Sequence, residues 1–177
     1  MRYSERGFAI IEFAVAVAII ALIGSASAAT TFQVIRGSQS GNNRMTAVSQ
    51  IQNAGYWIGR DVQMAESVDA DGLAFPDFIV LNWTERDYDG GDSIYHSATY
   101  FFEDLSDDIG KLKREHWSSA GANEQTLIAD YIYYDHDDPD NSSKVSYQSP
   151  LLTLQLTAIS GDAAETREYR MQRRPNL

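Results

Sequence analysis

The feature that most constrains the fold is an apolar run near the N-terminus. Every residue of Phe8–Ile23 is apolar except Glu12, and small residues extend the run to Phe8–Ala29. As an α-helix this segment would be about 33 Å long, at about 1.5 Å per residue. That length crosses the hydrocarbon core of a bilayer. Because Arg2 and Arg6 precede it, we expect a membrane helix whose N-terminus stays in the cytoplasm.

A second segment with helical periodicity follows the apolar run. Its apolar residues recur at steps of three and four: Ala47, Ile51, Ala54, Ile58, Val62 and Ala65. This spacing predicts one apolar helix face, with Asp61 mostly off that face. Glycine and asparagine residues over Gly37–Asn43 mark a weak zone where a helix could bend or melt. We therefore predict a single interrupted helix over about residues 8–66.

The rest of the chain has the texture of a β-sheet. Short segments rich in aromatic and β-branched residues are separated by turn residues, which predicts strands. The candidates are Phe78–Trp83, Ile94–Glu103, Ile109–His116, Leu127–Asp135, Lys144–Ile159 and Glu165–Arg173. Leu152, Leu154 and Leu156 alternate with polar residues, as in a half-buried strand. The predicted fold class is α+β: a long N-terminal transmembrane and amphipathic helix packed on an antiparallel β-sheet headgroup.

A carboxylate inside the apolar run requires a physical explanation. A charge in a membrane span costs several kcal/mol, about 3 on insertion scales, although less near the interface. Glu12 therefore either reaches the lipid headgroups or awaits a positively charged partner. It is the fifth residue counted from Phe8, which itself follows Gly7 and a short basic leader. This order resembles the processing motif of type IV prepilins and type II secretion pseudopilins.

The resemblance implies a processing route. A membrane prepilin peptidase would cut the Gly7–Phe8 bond, and the same class of enzyme would N-methylate the new Phe8 amine. Glu12 of one subunit would then meet the Phe8 amine of a neighbour during filament assembly. The implied partners are the peptidase/methylase, other pilin or pseudopilin subunits and the inner membrane. The headgroup would lie outside the cytoplasm, first on a single-pass membrane protein and later on a filament at the cell envelope or surface.

The resemblance also implies an organisation for the whole chain. Residues 1–7 would be the leader, 8–29 the transmembrane and filament-core half of the helix, 30–66 its amphipathic half, and 67–177 the β-rich headgroup. Tyr56–Ala65 and the later order of strands are similar to J-type minor pseudopilins and W-like minor pilins. We therefore expect a minor subunit of such a filament; the alternative is any α+β pilin headgroup, including that of a major subunit.

Two other interpretations of the N-terminus stay open. Ala26-Ser27-Ala28 has the A-x-A form of a secretory cleavage site, and cleavage after Ala28 would release a soluble domain. Alternatively, the segment is a plain single-pass anchor for a binding module. The mature N-terminus distinguishes the three cases: methylated Phe8, Ala29 or an unprocessed Met1.

Composition argues against several functions. A net charge of -11 disfavours binding to a phosphate backbone, which requires clustered lysine and arginine. The absence of cysteine excludes disulfides and thiol catalysis. No catalytic motif is present, so we expect no enzyme activity. We expect His96, His116 and His136 to be surface or strand residues, and we expect Lys111, Lys113 and Arg114 to lie on a solvated face beside acidic neighbours.

Two acidic loops are weak candidates for Ca²⁺, the one cofactor considered. One holds Asp135, Asp137, Asp138 and Asp140, and the other holds Asp87, Asp89 and Asp92. Hard cations favour several oxygen ligands on one flexible loop. Neither loop has the spacing of an EF-hand, so we favour solvated loops without a metal.

Overall fold

The computed structural model describes residues 10–86, 91–135, 137–138 and 140–173, without the side chain of Ala122. The chain divides into two compact units, residues 1–41 and 42–177. The elements are α1 (Ile10–Met64), β1 (Ser67–Asp69), β2 (Asp77–Glu85), β3 (Ile94–Ser106), β4 (Ile109–Ser118), β5 (Gly121–Tyr133), β6 (Lys144–Gln148), β7 (Leu151–Ser160) and β8 (Ala163–Gln172).

The first unit contains the apolar N-terminal part of α1. Its best 18-residue window has a mean hydropathy of 2.3 and no buried residue, so by length and composition it suffices to span a membrane. Ser25, Thr30 and Thr31 donate their hydroxyl protons to carbonyls one turn earlier. These bonds satisfy polar groups that would otherwise be costly in lipid. An interruption within Gly37–Asn43 was expected, and this prediction is wrong, since α1 is helical throughout.

The second unit is built on an eight-stranded antiparallel sheet. Strands β1 to β5 form a meander in which each strand pairs with the next. Strand β7 pairs with β6 and, at Ala158, with β5, and it pairs along its whole length with β8. The sheet is curled, and its antiparallel pairing confirms the coarse fold class.

Three details of the predicted strands are corrected. The segment predicted as one strand, Lys144–Ile159, is the hairpin β6–β7, with Ser149 and Pro150 at its turn. Proline has no N–H to donate to a ladder and therefore interrupts a strand. Strand β5 begins six residues earlier than expected, and the short strand β1 was not predicted at all.

The core of the second unit lies between the C-terminal part of α1 and the inner face of the sheet. All six residues of the predicted apolar helix face are fully buried, as predicted. Opposite them, Leu152, Leu154 and Leu156 of β7 are also fully buried, which confirms the alternation in this strand. Thr157 departs from the pattern because it is buried too, and its backbone N–H donates to Ser143 Oγ.

Polar side chains of α1 fix the helix against the sheet. Asn53 donates an amide proton to the carbonyl of Ile128 at 2.5 Å, and Gln50 accepts from the N–H of Asp130 at 2.8 Å. Both partners lie on β5. The backbone groups of β5 that these bonds satisfy would otherwise lack a partner where the helix crosses the strand.

Candidate functional site

The most buried polar group of the described residues is a carboxylate on α1. Asp61 is fully buried, although we expected it off the apolar face. It follows Ile58 by three residues and Ala54 by seven, and these are spacings that return to the same side of a helix. The prediction was wrong because it classed Asp61 by its charge rather than by its position in the helical repeat.

Two strands supply the partners of Asp61. Tyr100 on β3 and Arg114 on β4 are directly opposite in the register of the two strands. Asp61 Oδ2 accepts from the Tyr100 hydroxyl at 2.7 Å and from Arg114 Nε at 2.6 Å. Tyr100 is fully buried and Arg114 is 5 % exposed. The three side chains therefore form one hydrogen-bonded ionic network, the Asp61 network, between the helix and the sheet.

The Asp61 network has electrostatic consequences. Burial and the neighbouring Asp61 raise the pKa of the Tyr100 hydroxyl far above its usual range, so it stays a hydrogen-bond donor.

Lys111, Lys113 and Arg114 were expected on a solvated face, and this prediction is wrong for Arg114, which is buried. Lys111 and Lys113 do pair with the acidic neighbours Asp104 and Glu103.

An arginine and a tryptophan cover the outer side of the Asp61 network. Arg60 contacts Asp61 Oδ1 at 3.3 Å through a terminal guanidinium nitrogen. The same guanidinium lies 4.2 Å from the ring centroid of Trp57, and that of Arg114 lies 5.6 Å from it. Trp57 thus contacts two guanidinium groups that both reach Asp61. Such cation–π contacts contribute roughly 0.5–2 kcal/mol each, depending on their exposure.

An aromatic and imidazole cluster lies beside the network on the same sheet. We call Trp83 of β2, His96 of β3 and His116 of β4 the Trp–His cluster. Their ring centroids are 5.2–5.6 Å apart and their planes lie within 9–11° of one another. His96 Nδ1 lies 3.2 Å from His116 Nε2, and His96 Nε2 lies 3.3 Å from Glu85 Oε2.

The Trp–His cluster borders an open depression of about 380 Å³. Its other borders include Trp57, Arg60 and Met64 of α1 and Glu124 of β5. Burial, and then the positive charges of Arg114 and His96, lower the pKa of His116.

Sequence reasoning placed His96 and His116 on the surface or on strands but did not pair them. Their partnership depends on the β3–β4 register, which no local sequence signal specifies.

The residues of the predicted processing site are only partly described. Gly7 and Phe8 lie outside the described residues. Glu12 lies in the first turn of α1 and is exposed in the first unit. The carboxylate is therefore on the apolar helix, as the spacing indicated, while cleavage, methylation and pairing stay predictions.

The acidic loop is held by bonds within itself. Asp135 accepts from the N–H of Asp137 and from the Tyr133 hydroxyl, and Asp138 accepts from the amide of Asn141. Asp140 is exposed and near Lys144. Within the described ranges, no three histidine or acidic side chains are placed to hold a metal ion together. Of the second loop only Asp92 is described; Asp87 and Asp89 lie outside the described residues.

Fold and site together define a class of architecture. It has an apolar helix long enough to span a membrane and a unit in which an amphipathic helix segment packs on an antiparallel sheet through a buried ionic network. No known family, curated protein or solved structure matches the chain in sequence or structure.

Proposed function

We propose that this chain is a minor pilin or pseudopilin subunit. It is inserted in the cytoplasmic membrane by α1, cut between Gly7 and Phe8, methylated at Phe8 and assembled into a filament of the type IV pilus or type II secretion kind. Its role is structural, and the chemistry is performed on it by a prepilin peptidase.

The observation that supports the proposal most is the position of Glu12. It lies in the first turn of a helix that is apolar and long enough for a membrane span. A glycine before the cut fits a protease site, because a residue without a side chain can lie close to the enzyme backbone. Cleavage would create a cationic Phe8 amine four residues before an anionic Glu12.

Pairing of these two charges would set the register between subunits. A carboxylate that enters a helix bundle loses its hydration, and leaving it unpaired there costs about 3–5 kcal/mol. A neighbouring Phe8 amine offsets that cost at one axial position alone. The β-rich headgroup, residues 67–177, would then contact sibling subunits.

The proposal is tested by the mature N-terminus. The full chain is co-expressed with a prepilin peptidase, extracted from membranes and examined by mass spectrometry. We expect a product that begins at N-methylated Phe8. A product that begins at Ala29 would show a secretory signal, and intact Met1 would show a plain anchor; either one would overturn the proposal.

Two glycine variants make the test specific. Gly7→Val places a branched side chain at the bond to be cut and should abolish processing. Gly24→Val is the matched control, because an added Cβ at Gly24 has no heavy atom within 4 Å. Gly24 lies in α1, away from the bond to be cut, and Gly24→Val should leave processing intact. Equal processing of both variants would contradict cleavage at Gly7–Phe8.

A further inference from the structure

The hydrogen bonds of the Trp–His cluster fix where its protons lie. An ionised carboxylate only accepts hydrogen bonds, so His96 Nε2 must carry the proton in its contact with Glu85. A neutral imidazole has one protonated nitrogen, which leaves His96 Nδ1 as an acceptor. The facing nitrogen, His116 Nε2, must then donate to it across 3.2 Å. The donor order therefore runs from His116 to His96 to Glu85.

This order makes the two histidines unequal toward an added proton. The nitrogen of His116 that remains without a proton is Nδ1, which faces away from His96. A proton there preserves both hydrogen bonds and strengthens the one from His116 to His96, because a charged donor bonds more strongly. The next proton must go to His96 Nδ1, and two N–H groups would then face each other.

We propose that Glu85, His96 and His116 form a two-step proton switch at the end of the sheet. One proton is taken up with all contacts kept. The second breaks the bond between the two imidazoles and places two positive charges in contact, so the rings separate and the depression beside Trp83 changes shape. The switch responds to acid, and it does not depend on cleavage or filament assembly.

The charges around the pair set the pH range of the switch. Glu124 on β5 and Asp61 on α1 favour protonation of His116, and Arg114 on β4 opposes it. Glu85 on β2 contacts His96 Nε2, and Arg60 on α1 lines the same depression. Glu66, between α1 and β1, lines the neighbouring depression that includes His96. The pKa of His116 is lowered overall, so uptake of the first proton is expected below the usual histidine value of about 6.5.

Nitrogen NMR of the full chain in detergent micelles tests this proposal directly. The chain has three histidines, so ¹⁵N-histidine labelling gives three imidazoles to resolve. At pH 8 we expect His96 and His116 both to carry the proton on Nε2. On acidification we expect the pair to take up its two protons in two macroscopic steps, as strongly interacting sites do. Finding the proton of His96 on Nδ1, or two equal and independent titrations, would overturn the switch.

Substitution of one partner provides the second test. In His96→Gln, no second imidazole remains beside His116, so His116 should titrate in a single step. His136→Gln is the matched control, because position 136 lies outside the sequence ranges of β3 and β4, and it should leave the two coupled steps unchanged. If His96→Gln leaves the titration of His116 as it is in the wild type, the proposal fails.

Discussion

Asp61 and Arg114 are joined across 2.6 Å, although 53 residues separate them in the chain. One lies on the helix and the other on the fourth strand, and both are almost completely withdrawn from water. An ion pair in such a place adds little net stability over an apolar pair of the same shape. The pair does make one alignment of the helix on the sheet much more favourable than shifted alignments, because any shift would leave a buried charge unpaired.

Removal of one partner of this pair should therefore be costly. We expect Asp61→Asn to lower the free energy of unfolding by about 3–5 kcal/mol, since it leaves the buried Arg114 guanidinium without a counter-charge. Denaturation of the full chain in detergent micelles measures this loss. Arg170→Gln is the control, because Arg170 and Glu168 form an exposed pair, and its effect should stay within about 0.5 kcal/mol.

Replacement of both partners separates the cost of an unpaired charge from the value of the pair. In the double variant Asp61→Leu with Arg114→Met, we expect part of the lost stability to return, because no charge remains buried while the buried Tyr100 hydroxyl loses its acceptor. Denaturation of the double variant in detergent micelles measures how much stability returns. A double variant as unstable as Asp61→Asn would show that the pair itself stabilises the unit substantially.

The buried hydroxyl of Tyr100 predicts a sensitivity to alkali. Its pKa in the folded chain is raised, whereas in the unfolded chain it ionises near the usual value of about 10. The stability that depends on this group is present below pH 10 and is lost as pH rises above it. The loss approaches about 1.4 kcal/mol per pH unit.

Alkaline denaturation of two tyrosine variants tests this dependence. Tyr100→Phe should show a shallower loss of stability above pH 10 than the wild type. Tyr95→Phe is the control, because Tyr95 is 59 % exposed, and it should keep the slope of the wild type. An unchanged slope in Tyr100→Phe would show that other groups account for the alkaline loss.

Glu12 provides a prediction about assembly that is separate from processing. Glu12→Gln keeps the size of the side chain and removes its charge. On the proposed function, the variant should be cut at Gly7–Phe8 as well as the wild type, but its incorporation into filaments should fall at least about tenfold, the effect of roughly 1.4 kcal/mol. Quantitative immunoblots of sheared filaments measure it. Glu12→Asp keeps a carboxylate and should retain part of the incorporation; filaments with normal amounts of Glu12→Gln would contradict the charge pairing.

The main elements of the fold were predictable because periodicity reports them locally. The steps of three and four from Ala47 to Ala65 identified the buried helix face, and the alternation around Leu154 identified a buried strand face. The break at Pro150 was missed because both sides of it alternate apolar and polar residues. The phase of the alternation changes there, from Val145 and Tyr147 to Leu152 and Leu154, and this change and the proline should have divided the segment.

The site was much less predictable than the fold. The pairing of Tyr100 with Arg114, and the contact of His96 with His116, depend on how β3 and β4 align. A shift of one residue would turn these side chains to the other face, and local composition does not specify the alignment. Asp61 was the exception, because its spacing from Ile58 already placed it on the buried face of the helix.

Two glycines one turn apart in α1 provide a final and closely matched prediction. At Gly55 an added Cβ would lie 2.5 Å from Cζ of Tyr169, whose hydroxyl donates to the carbonyl of Ile51 at 3.2 Å. At Gly59 the nearest atom to an added Cβ is Met171 Cε at 3.5 Å, an ordinary contact. Alanine favours a helix over glycine by about 1 kcal/mol at either position.

The two substitutions should therefore have opposite signs. We expect Gly59→Ala to raise the free energy of unfolding by up to about 1 kcal/mol. Gly55→Ala should lower it by about 1–3 kcal/mol, because the tyrosine ring must leave its position against the helix. Denaturation of both variants under the same conditions tests the pair. If Gly55→Ala were as stable as Gly59→Ala, the close packing of Tyr169 on α1 would be contradicted, since the gain in helix propensity is the same at both positions.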